Sequence, residues 1–237
     1  MIKVTNLTKR YGDKTAVDDL SLNIKKGEIF GLIGPNGSGK STAIECILGT
    51  KKLDYGEVAI LDLEPVKNRK KLFENVGVQF QESACQDKIT VKELCEQTSC
   101  LYTSKCSYMD LLYGFNLDDK LNSFVNTLSG GEKQRLFVVQ ALICNPKVLF
   151  LDEPTTGHDP HARRIIWQYL KGLKERGITI LLTSHFMDEV ENLCDRIGIL
   201  KSGKLIFIGT PAEALLACPG KSLEDVYLML TEGEQDI

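Results

Sequence analysis

The feature that most constrains this chain is a glycine-rich turn between an apolar strand and a helix. The turn reads Gly34-Pro35-Asn36-Gly37-Ser38-Gly39-Lys40-Ser41 and follows the run Glu28-Ile29-Phe30-Gly31-Leu32-Ile33. Glycines in such a turn let backbone N–H groups close around phosphate oxygens. The following helical stretch, Ser41 to Leu48, adds the positive end of a helix. The pattern therefore predicts a phosphate-binding loop in its required context of strand, turn and helix.

The residue types at the end of the loop indicate how a triphosphate would be held. The Lys40 ammonium would reach the β and γ phosphates, and the Ser41 hydroxyl would ligate Mg²⁺. We expect nucleotide contacts from Gly34, Pro35, Asn36, Gly37, Ser38, Gly39, Lys40, Ser41 and Thr42.

The rest of the chain alternates short apolar strands with helical stretches, which is typical of an α/β fold. Ahead of the loop, Ile2-Lys3-Val4 and the alternating run Leu20-Ser21-Leu22-Asn23-Ile24 predict strands. Further strands are predicted at 58–61, 76–80, 148–151, 178–182 and 197–200, a hairpin strand at 204–208, and two short helices after Thr210. With 237 residues, 43% of them hydrophobic, the chain can bury a core without disulfides or metal.

A second candidate element is the apolar run Lys147-Val148-Leu149-Phe150-Leu151, which ends in Asp152 and Glu153. A strand this apolar is covered on both faces, so acids at its end point into a cleft. We expect Asp152 to hold Mg²⁺ through water. Glu153 is expected to orient and polarise the water that attacks a phosphoryl group.

Between about 83 and 145 the strand signals vanish, which predicts an inserted helical arm. Thr90-Val91-Lys92-Glu93 forms a capping box that opens a helix there. At the end of the arm, Leu128-Ser129-Gly130-Gly131-Glu132 contains a second capping box, with two exposed backbone amides inside it. Such a helix N-terminus can hold an anion, although an ordinary cap would explain the segment if it stood alone.

Together these segments resemble one family. Leu-Ser-Gly-Gly-Glu at 128–132, upstream of Asp-Glu-Pro-Thr-Thr-Gly at 152–157 and behind a phosphate loop, is similar to the nucleotide-binding ATPase of ABC transporters. The resemblance runs from about Ile2 to Ala214. It implies an α/β P-loop NTPase core with a mixed or parallel sheet, an N-terminal antiparallel β subdomain and an inserted α-helical subdomain.

The resemblance also implies how the chain is divided. We expect a single domain over 1–237, with the core and β subdomain at about 1–82 and 146–209. The helical subdomain is expected at about 83–145 and C-terminal helices at about 210–237.

In that family two cassettes face each other head to tail. The second capping box of one cassette then lies against the nucleotide bound by the other. Ser129, Gly130 and Gly131 of one copy would then contact the γ-phosphate bound by the other copy. The implied partners are a second ATPase subunit, with a homodimer favoured over a heterodimer, and integral membrane permease subunits.

Four further positions acquire roles by their match to the family. Tyr11 is similar to the aromatic residue on which adenine stacks, and His185 to the switch histidine that hydrogen-bonds the γ-phosphate. Gln81 resembles the glutamine that touches Mg²⁺ and senses the membrane subunit, with Gln79 as a rival on the same strand face. Asp159 resembles the aspartate of the interface loop. The implied catalytic residues are Glu153, His185, Gln81 and Lys40, and the implied metal ligands are Ser41, Gln81 and Asp152.

One position departs from the family pattern, since His158 stands where leucine is usual. The segment His158-Asp159-Pro160-His161 could be imagined as a metal-binding pair. No helix is predicted there to fix the ligand geometry, so a polar contact at the dimer interface is favoured.

Composition limits the possible partners. A formal charge of -3 and a pI near 5.7 supply no general attraction for nucleic acid. No apolar run approaches the ~18 residues that span a bilayer, and the first residues lack the apolar centre of a signal peptide. We therefore expect a cytoplasmic protein, held at the inner face of the membrane by permease subunits. The eight cysteines are interpreted as packing residues and not as a redox or iron–sulfur site.

The expected function is ATP binding and hydrolysis coupled to transport. The ending at 203–211 is most similar to bacterial cassettes that export drugs, antibiotics and polysaccharides, so export is favoured. The alternative is a non-transport mechanical or regulatory ATPase with the same motifs. A GTPase is disfavoured because the chain has no Asn-Lys-x-Asp or Thr-Lys-x-Asp tetrad.

Overall fold

The computed structural model describes residues 1–80, 86, 88–157, 160–217 and 221–232. Within that part the strands are β1 (Ile2–Tyr11), β2 (Lys14–Ile24), β3 (Ile29–Ile33), β4 (Tyr55–Ile60), β5 (Val76–Gln79), β6 (Val148–Asp152), β7 (Thr179–Ser184), β8 (Arg196–Lys201) and β9 (Lys204–Gly209). The helices are α1 (Lys40–Ile47), α2 (Arg69–Phe73), α3 (Val91–Ser99), α4 (Tyr108–Gly114), α5 (Gly130–Ile143), α6 (Pro160–Glu175), α7 (Met187–Leu193), α8 (Pro211–Ala217) and α9 (Leu223–Glu232). Every predicted strand is present, whereas α2 was not predicted.

The strands form two sheets. An antiparallel sheet has the order β2-β1-β4, and a six-stranded sheet has the order β5-β6-β7-β3-β8-β9. The pairs β5–β6, β6–β7, β7–β3 and β3–β8 are parallel, and β9 joins β8 antiparallel. The α/β class, the mixed sheet and the N-terminal antiparallel sheet are thus confirmed.

The larger sheet separates two hydrophobic cores. Ile29 and Ile33 of β3 belong to the core shared with helices α3 to α6, whereas Phe30 and Leu32 belong to the core shared with α1 and the antiparallel sheet. Every residue of β3 and of β6 is buried. Since both faces of these strands are covered, their carboxyl ends are where polar groups can meet in a cleft.

Both predicted capping boxes are present at the starts of arm helices. At α3, the Thr90 hydroxyl accepts the Glu93 backbone N–H at 3.2 Å, and Glu93 Oε2 accepts the Thr90 N–H at 2.9 Å. Helix α5 packs against β5 so closely that a Cβ on Gly77 would lie 2.0 Å from the Ala141 carbonyl oxygen. This backbone contact fixes where α5 lies relative to the edge of the sheet.

Helix α6 corrects one expectation. The helix begins at Pro160, so His161 is helical, and the expectation that no helix covers this segment is wrong. Proline suits the first helical position because its missing N–H has no partner to lose there. His158 and Asp159 themselves lie outside the described residues. None of the helices in the described part of the chain has the length and apolarity that a bilayer crossing requires.

Candidate functional site

The glycine turn connects β3 to α1 and touches two other elements. Gly39 has a φ of +105° and is the N-cap of α1. A Cβ on Gly39 would lie 2.3 Å from the Ala16 carbonyl oxygen, so no side chain fits where the turn passes β2. On its other side, the Ser38 carbonyl accepts the Gly203 N–H at 2.9 Å. The turn is therefore held in place from both flanks.

Lys40 is the buried cation of this turn. Its side chain is 6% exposed, and its Nζ donates to the carbonyl oxygens of Gly34 at 2.7 Å and Pro35 at 3.2 Å. Burial lowers the pKa of the Lys40 ammonium, and the nearby carboxylates of Glu153 and Asp152 oppose that shift. The cation thus lies close enough to the two acids at the end of β6 to be stabilised by their charges.

The turn also contains a buried hydroxyl that lacks a partner. Ser38 Oγ has no hydrogen-bond partner among the described residues. A buried unpaired hydroxyl, a cation and the N-terminus of α1 form a donor set that suits phosphate oxygens. The residues present therefore fit the phosphates of a nucleoside triphosphate.

The two acids at the end of β6 are tied to β7 by one threonine. The Thr183 hydroxyl donates to Asp152 Oδ1 at 2.5 Å and accepts the Glu153 backbone N–H at 2.9 Å. Glu153 is 8% exposed and has a φ of +51°, which is uncommon for a residue with a side chain. Sequence reasoning missed Thr183, which is one of three hydroxyl-bearing residues in β7 and has no local pattern that distinguishes it from Thr179 and Ser184.

His185 meets Glu153 because β6 and β7 are parallel neighbours. Its Nδ1 lies 3.5 Å from Glu153 Oε2, and the imidazole side chain is 40% exposed. The Thr156 hydroxyl donates to the same Glu153 oxygen at 3.1 Å. The predicted acid and the predicted histidine are therefore adjacent at the carboxyl edge of the sheet.

A cavity of about 460 Å³ joins the turn to this edge. Tyr11, at the end of β1, is 45% exposed and forms part of its wall. The predicted residues that line the cavity are Tyr11, Asn36, Gly37, Gly39, Lys40, Ser41, Thr42 and Glu153. Lys14 and Ala16 of β2 also line it, and sequence reasoning did not single them out. One cavity thus brings together an exposed aromatic ring, a buried cation, two hydroxyls and a carboxylate.

The second capping box lies elsewhere in the chain. Ser129 caps α5, with its N–H donated to Glu132 Oε2 at 2.7 Å and its hydroxyl accepting the Glu132 N–H at 3.3 Å. The Ser129 N–H is the main cause of a lowered pKa at Glu132. Of the described residues, none from 128 to 131 lines the cavity around Lys40. Ser129, Gly130 and Gly131 therefore form no part of the cavity that contains Lys40 of the same chain.

Gln79, the rival of Gln81 in the sequence analysis, is buried in β5. Gln79 is 2% exposed, and its Nε2 donates to the carbonyls of Phe80 at 2.8 Å and Asp152 at 3.3 Å. Its side chain is occupied with the backbone at the end of β6. Gln81 and Asp159, both predicted site residues, lie outside the described residues.

A second, smaller cavity of about 220 Å³ lies between β5 and the helical arm. It is lined by Phe73, Val76, Gly77, Val78, Gln79, Thr98, Tyr102, Phe137, Gln140 and Ala141. None of these lining residues is shared with the cavity around Lys40.

Comparison with known proteins gives consistent matches. Residues 17–156 match a family described as "ABC transporter". The chain is 39% identical over 231 residues to the Nod factor export ATP-binding protein I of Rhizobium etli, covering 95% of this chain and 73% of that protein. It is 41% identical over 232 residues to the protein of the same name from Bradyrhizobium diazoefficiens, covering 95% of this chain and 76% of that protein.

Solved structures show the same fold. An ATP-binding subunit of an ABC transporter superposes with a TM-score of 0.89 at 26% identity, covering 97% of this chain and 99% of that one. The dimeric cassette MJ0796, in a post-hydrolysis state bound to ADP and Pi, superposes with a TM-score of 0.80 at 29% identity. That match covers 89% of this chain and 98% of the other.

Proposed function

The chain belongs to the ABC transporter family and is one of its ATPases, and we propose that it drives an exporter whose membrane-spanning subunits are separate proteins. The relatives from Rhizobium etli and Bradyrhizobium diazoefficiens are named for export, and the similarity extends over 95% of this chain. No described helix spans a membrane, so the translocation path would belong to permease subunits. The proposal places the chain at the inner face of the membrane through those subunits.

The cavity around Lys40 is the proposed nucleotide site, and it is the observation that carries the proposal. Adenine would stack on Tyr11, and Lys40 with the N–H groups from Gly34 to Thr42 would hold the triphosphate. Ser41, Asp152 and Gln81 are the residues that would hold Mg²⁺. When bound, Mg²⁺ would neutralise charge on the phosphate oxygens.

Glu153 and His185 are proposed to act on the γ-phosphate. Glu153 would accept a hydrogen bond from the attacking water and align it, while the imidazole of His185 would donate to a γ-phosphate oxygen. His185 Nδ1 lies 3.5 Å from Glu153 Oε2, which supports the proposal that both side chains act at the same γ-phosphate. Thr183 would keep both acids oriented through its two hydrogen bonds.

The complete site is proposed to need two copies of this chain. Ser129, Gly130 and Gly131 of one copy would cover the triphosphate held by Lys40 of the other, and Asp159 would lie at the same interface. Gly130 is exposed, and no described atom lies within 4 Å of a Cβ built on it. No contact within the described part of the chain therefore demands glycine there, which supports close approach from outside.

The smaller cavity between β5 and the arm is the proposed contact for a permease. Gly77 fixes the arm against β5 on this wall, so movement of the arm would change the cavity's shape. Gln81 stands two residues after β5 in the chain and would report that change to the nucleotide site. In this proposal the core and β subdomain comprise about 1–82 and 146–209, and the helical subdomain about 83–145.

The proposal is tested with Glu153→Gln, which keeps the size of the side chain and removes its negative charge. We expect MgATP turnover at least about 100-fold lower than wild type, because a neutral amide polarises the attacking water far less than a carboxylate does. Light scattering should show the variant as a dimer in saturating ATP and as a monomer without nucleotide. Turnover equal to wild type would contradict the role of Glu153. Co-purification from membranes with an integral partner tests the transport assignment.

A further inference from the structure

Beside His185 lies a row of side chains that the proposed cycle does not use. The Phe186 ring lies against the His185 imidazole, with centroids 4.1 Å apart and planes tilted by 38°. The guanidinium carbon of Arg163 lies 4.6 Å from the centroid of the Phe186 ring. At the other end, His185 faces Glu153 Oε2 at 3.5 Å. We call Arg163, Phe186 and His185 the Arg163 stack.

Arg163 is held in place by the helix that follows His185. Its Nη1 lies 3.3 Å from Asp188 Oδ2 in the first turn of α7. One turn further along α6, Trp167 Nε1 donates to Glu189 Oε1 at 3.0 Å. Residues four apart lie on one face of a helix, so α6 is attached to α7 at two successive turns. The position of α6 thus determines where Arg163 lies against Phe186.

The imidazole needs such a support. His185 is substantially exposed, and a side chain in that state samples several orientations unless neighbours restrict it. The Phe186 ring restricts the plane of the imidazole, and the cation of Arg163 is attracted to the face of the Phe186 ring. The backbone of Phe186 is also restrained, because its N–H donates to Ser184 Oγ at 3.0 Å.

We infer that Arg163 and Phe186 are positioning residues that hold the His185 imidazole in the orientation in which it faces Glu153. The inference rests on the proposed role of His185 in hydrolysis. It also adds a connection, because α6 begins at Pro160, directly after Asp159 in the chain. Arg163 lies in the first turn of that helix. A shift of the proposed dimer interface would therefore move the stack and the histidine together.

The test compares variants of the stack with a matched control in the full chain. In Arg163→Gln and Phe186→Leu we expect kcat for MgATP to fall about tenfold or more, with KM changed less than about twofold. Arg164→Gln removes an exposed arginine at the next position of the same helix and should leave kcat within about twofold. Arg163→Lys should retain more activity than Arg163→Gln, because an ammonium is also attracted to the face of an aromatic ring although it cannot stack on it.

A double-mutant cycle separates positioning from general packing. In the His185→Ala background, adding Arg163→Gln or Phe186→Leu should lower kcat no further, because the group being positioned is gone. Losses that multiply would overturn the inference, since the residues would then act independently of His185. Wild-type turnover in His185→Ala alone would instead refute the proposed role of His185, and the inference would fail with it.

Imidazole resonances give a readout that does not depend on turnover. The chain has three histidines, and the signal of His185 is the one that His185→Ala removes. Arg163→Gln and Phe186→Leu should shift that signal, whereas Arg164→Gln should not. An unchanged signal would overturn the inference even if kcat fell. Thermal melts identify any variant that fails to fold. If Phe186→Leu fails to fold, Arg163→Gln and Arg163→Lys alone test the inference.

Discussion

The contact between β5 and α5 can be broken with one methyl group, in the variant Gly77→Ala. The new Cβ would lie 2.0 Å from the Ala141 carbonyl oxygen, whereas ordinary contact begins near 3.4 Å. Since that obstacle is backbone, α5 must move by about 1.4 Å, the difference between those two distances. Overpacking of this kind costs about 1–3 kcal/mol of folding free energy. At this chain length each kcal/mol lowers Tm by about 2–4 °C.

The displacement should also affect turnover, because α5 links two parts of the proposed site. Its N-terminus is capped by Ser129, and Gln134 Nε2 donates to the Glu153 carbonyl at 3.2 Å. A misplacement of about 1 Å lowers catalysis by up to about 100-fold, so we expect kcat to fall at least tenfold. ATP binding to the Lys40 cavity should change less than about twofold, because α5 does not line it.

Stability is measured by urea unfolding, turnover by phosphate release and binding by calorimetric titration. Gly172→Ala in α6 is the matched control, since no described atom lies within 4 Å of the added Cβ. That variant should be more stable than wild type by about 0.5–1 kcal/mol, because alanine favours the helix interior. If Gly77→Ala equals wild type in stability and turnover, the close packing of α5 on β5 is wrong.

Three further predictions follow from buried and exposed groups. Glu189 is fully buried, and burial raises the pKa of its carboxyl group. The free energy of unfolding of wild type should therefore fall as pH rises above the ordinary glutamate range, and Glu189→Gln should not show this decrease. Urea unfolding of wild type and Glu189→Gln at about pH 4 and about pH 8 measures this, and a stability difference between the two that is constant with pH would contradict a raised pKa at Glu189. Burial raises the pKa of Cys95 and Cys144 to about 12, while Cys100 is exposed. Iodoacetamide followed by peptide mass spectrometry should therefore modify Cys100 in the native chain and the other two only after unfolding; equal rates would refute their burial. Tyr11→Ala should raise the Kd of ATP about tenfold or more, and Tyr11→Phe less than twofold, since stacking needs only the ring. An unchanged Kd in Tyr11→Ala would remove Tyr11 from the adenine site.

The features that the sequence predicted correctly depend on neighbours in the chain. The glycine turn, the capping boxes at Thr90 and Ser129, and the proline at the start of α8 are each set by residues within one turn of a helix. The alternation in β2 was also readable, because Leu20, Leu22 and Ile24 are buried while their neighbours are exposed. Such patterns need no knowledge of strand order.

The features that the sequence did not predict join distant segments. Thr183 hydrogen-bonds to both acids only because β7 lies next to β6. The Arg163 guanidinium contacts the Phe186 ring only because α6 packs beside α7. The need for glycine at position 77 arises from a carbonyl on α5. None of these pairings has a local pattern, so they become visible only once the order of strands and helices is known.

The central claim is that each active site is shared between two copies of the chain. Lys40→Met removes the cation that would hold the triphosphate. Gly130→Glu adds a negative charge where the partner's γ-phosphate would lie. Gly130→Glu should still fold, because its position is open and an acid suits the first turn of a helix. Each variant alone should have little turnover.

The decisive measurement is the MgATP turnover of an equal mixture of these two variants. Random pairing gives half mixed dimers, each with one intact site of two, so the mixture should recover about a quarter of wild-type activity. Turnover no higher than the average of the two separate variants, with mixed dimers demonstrated by cross-linking, would contradict a site shared between Lys40 of one copy and Gly130 of the other.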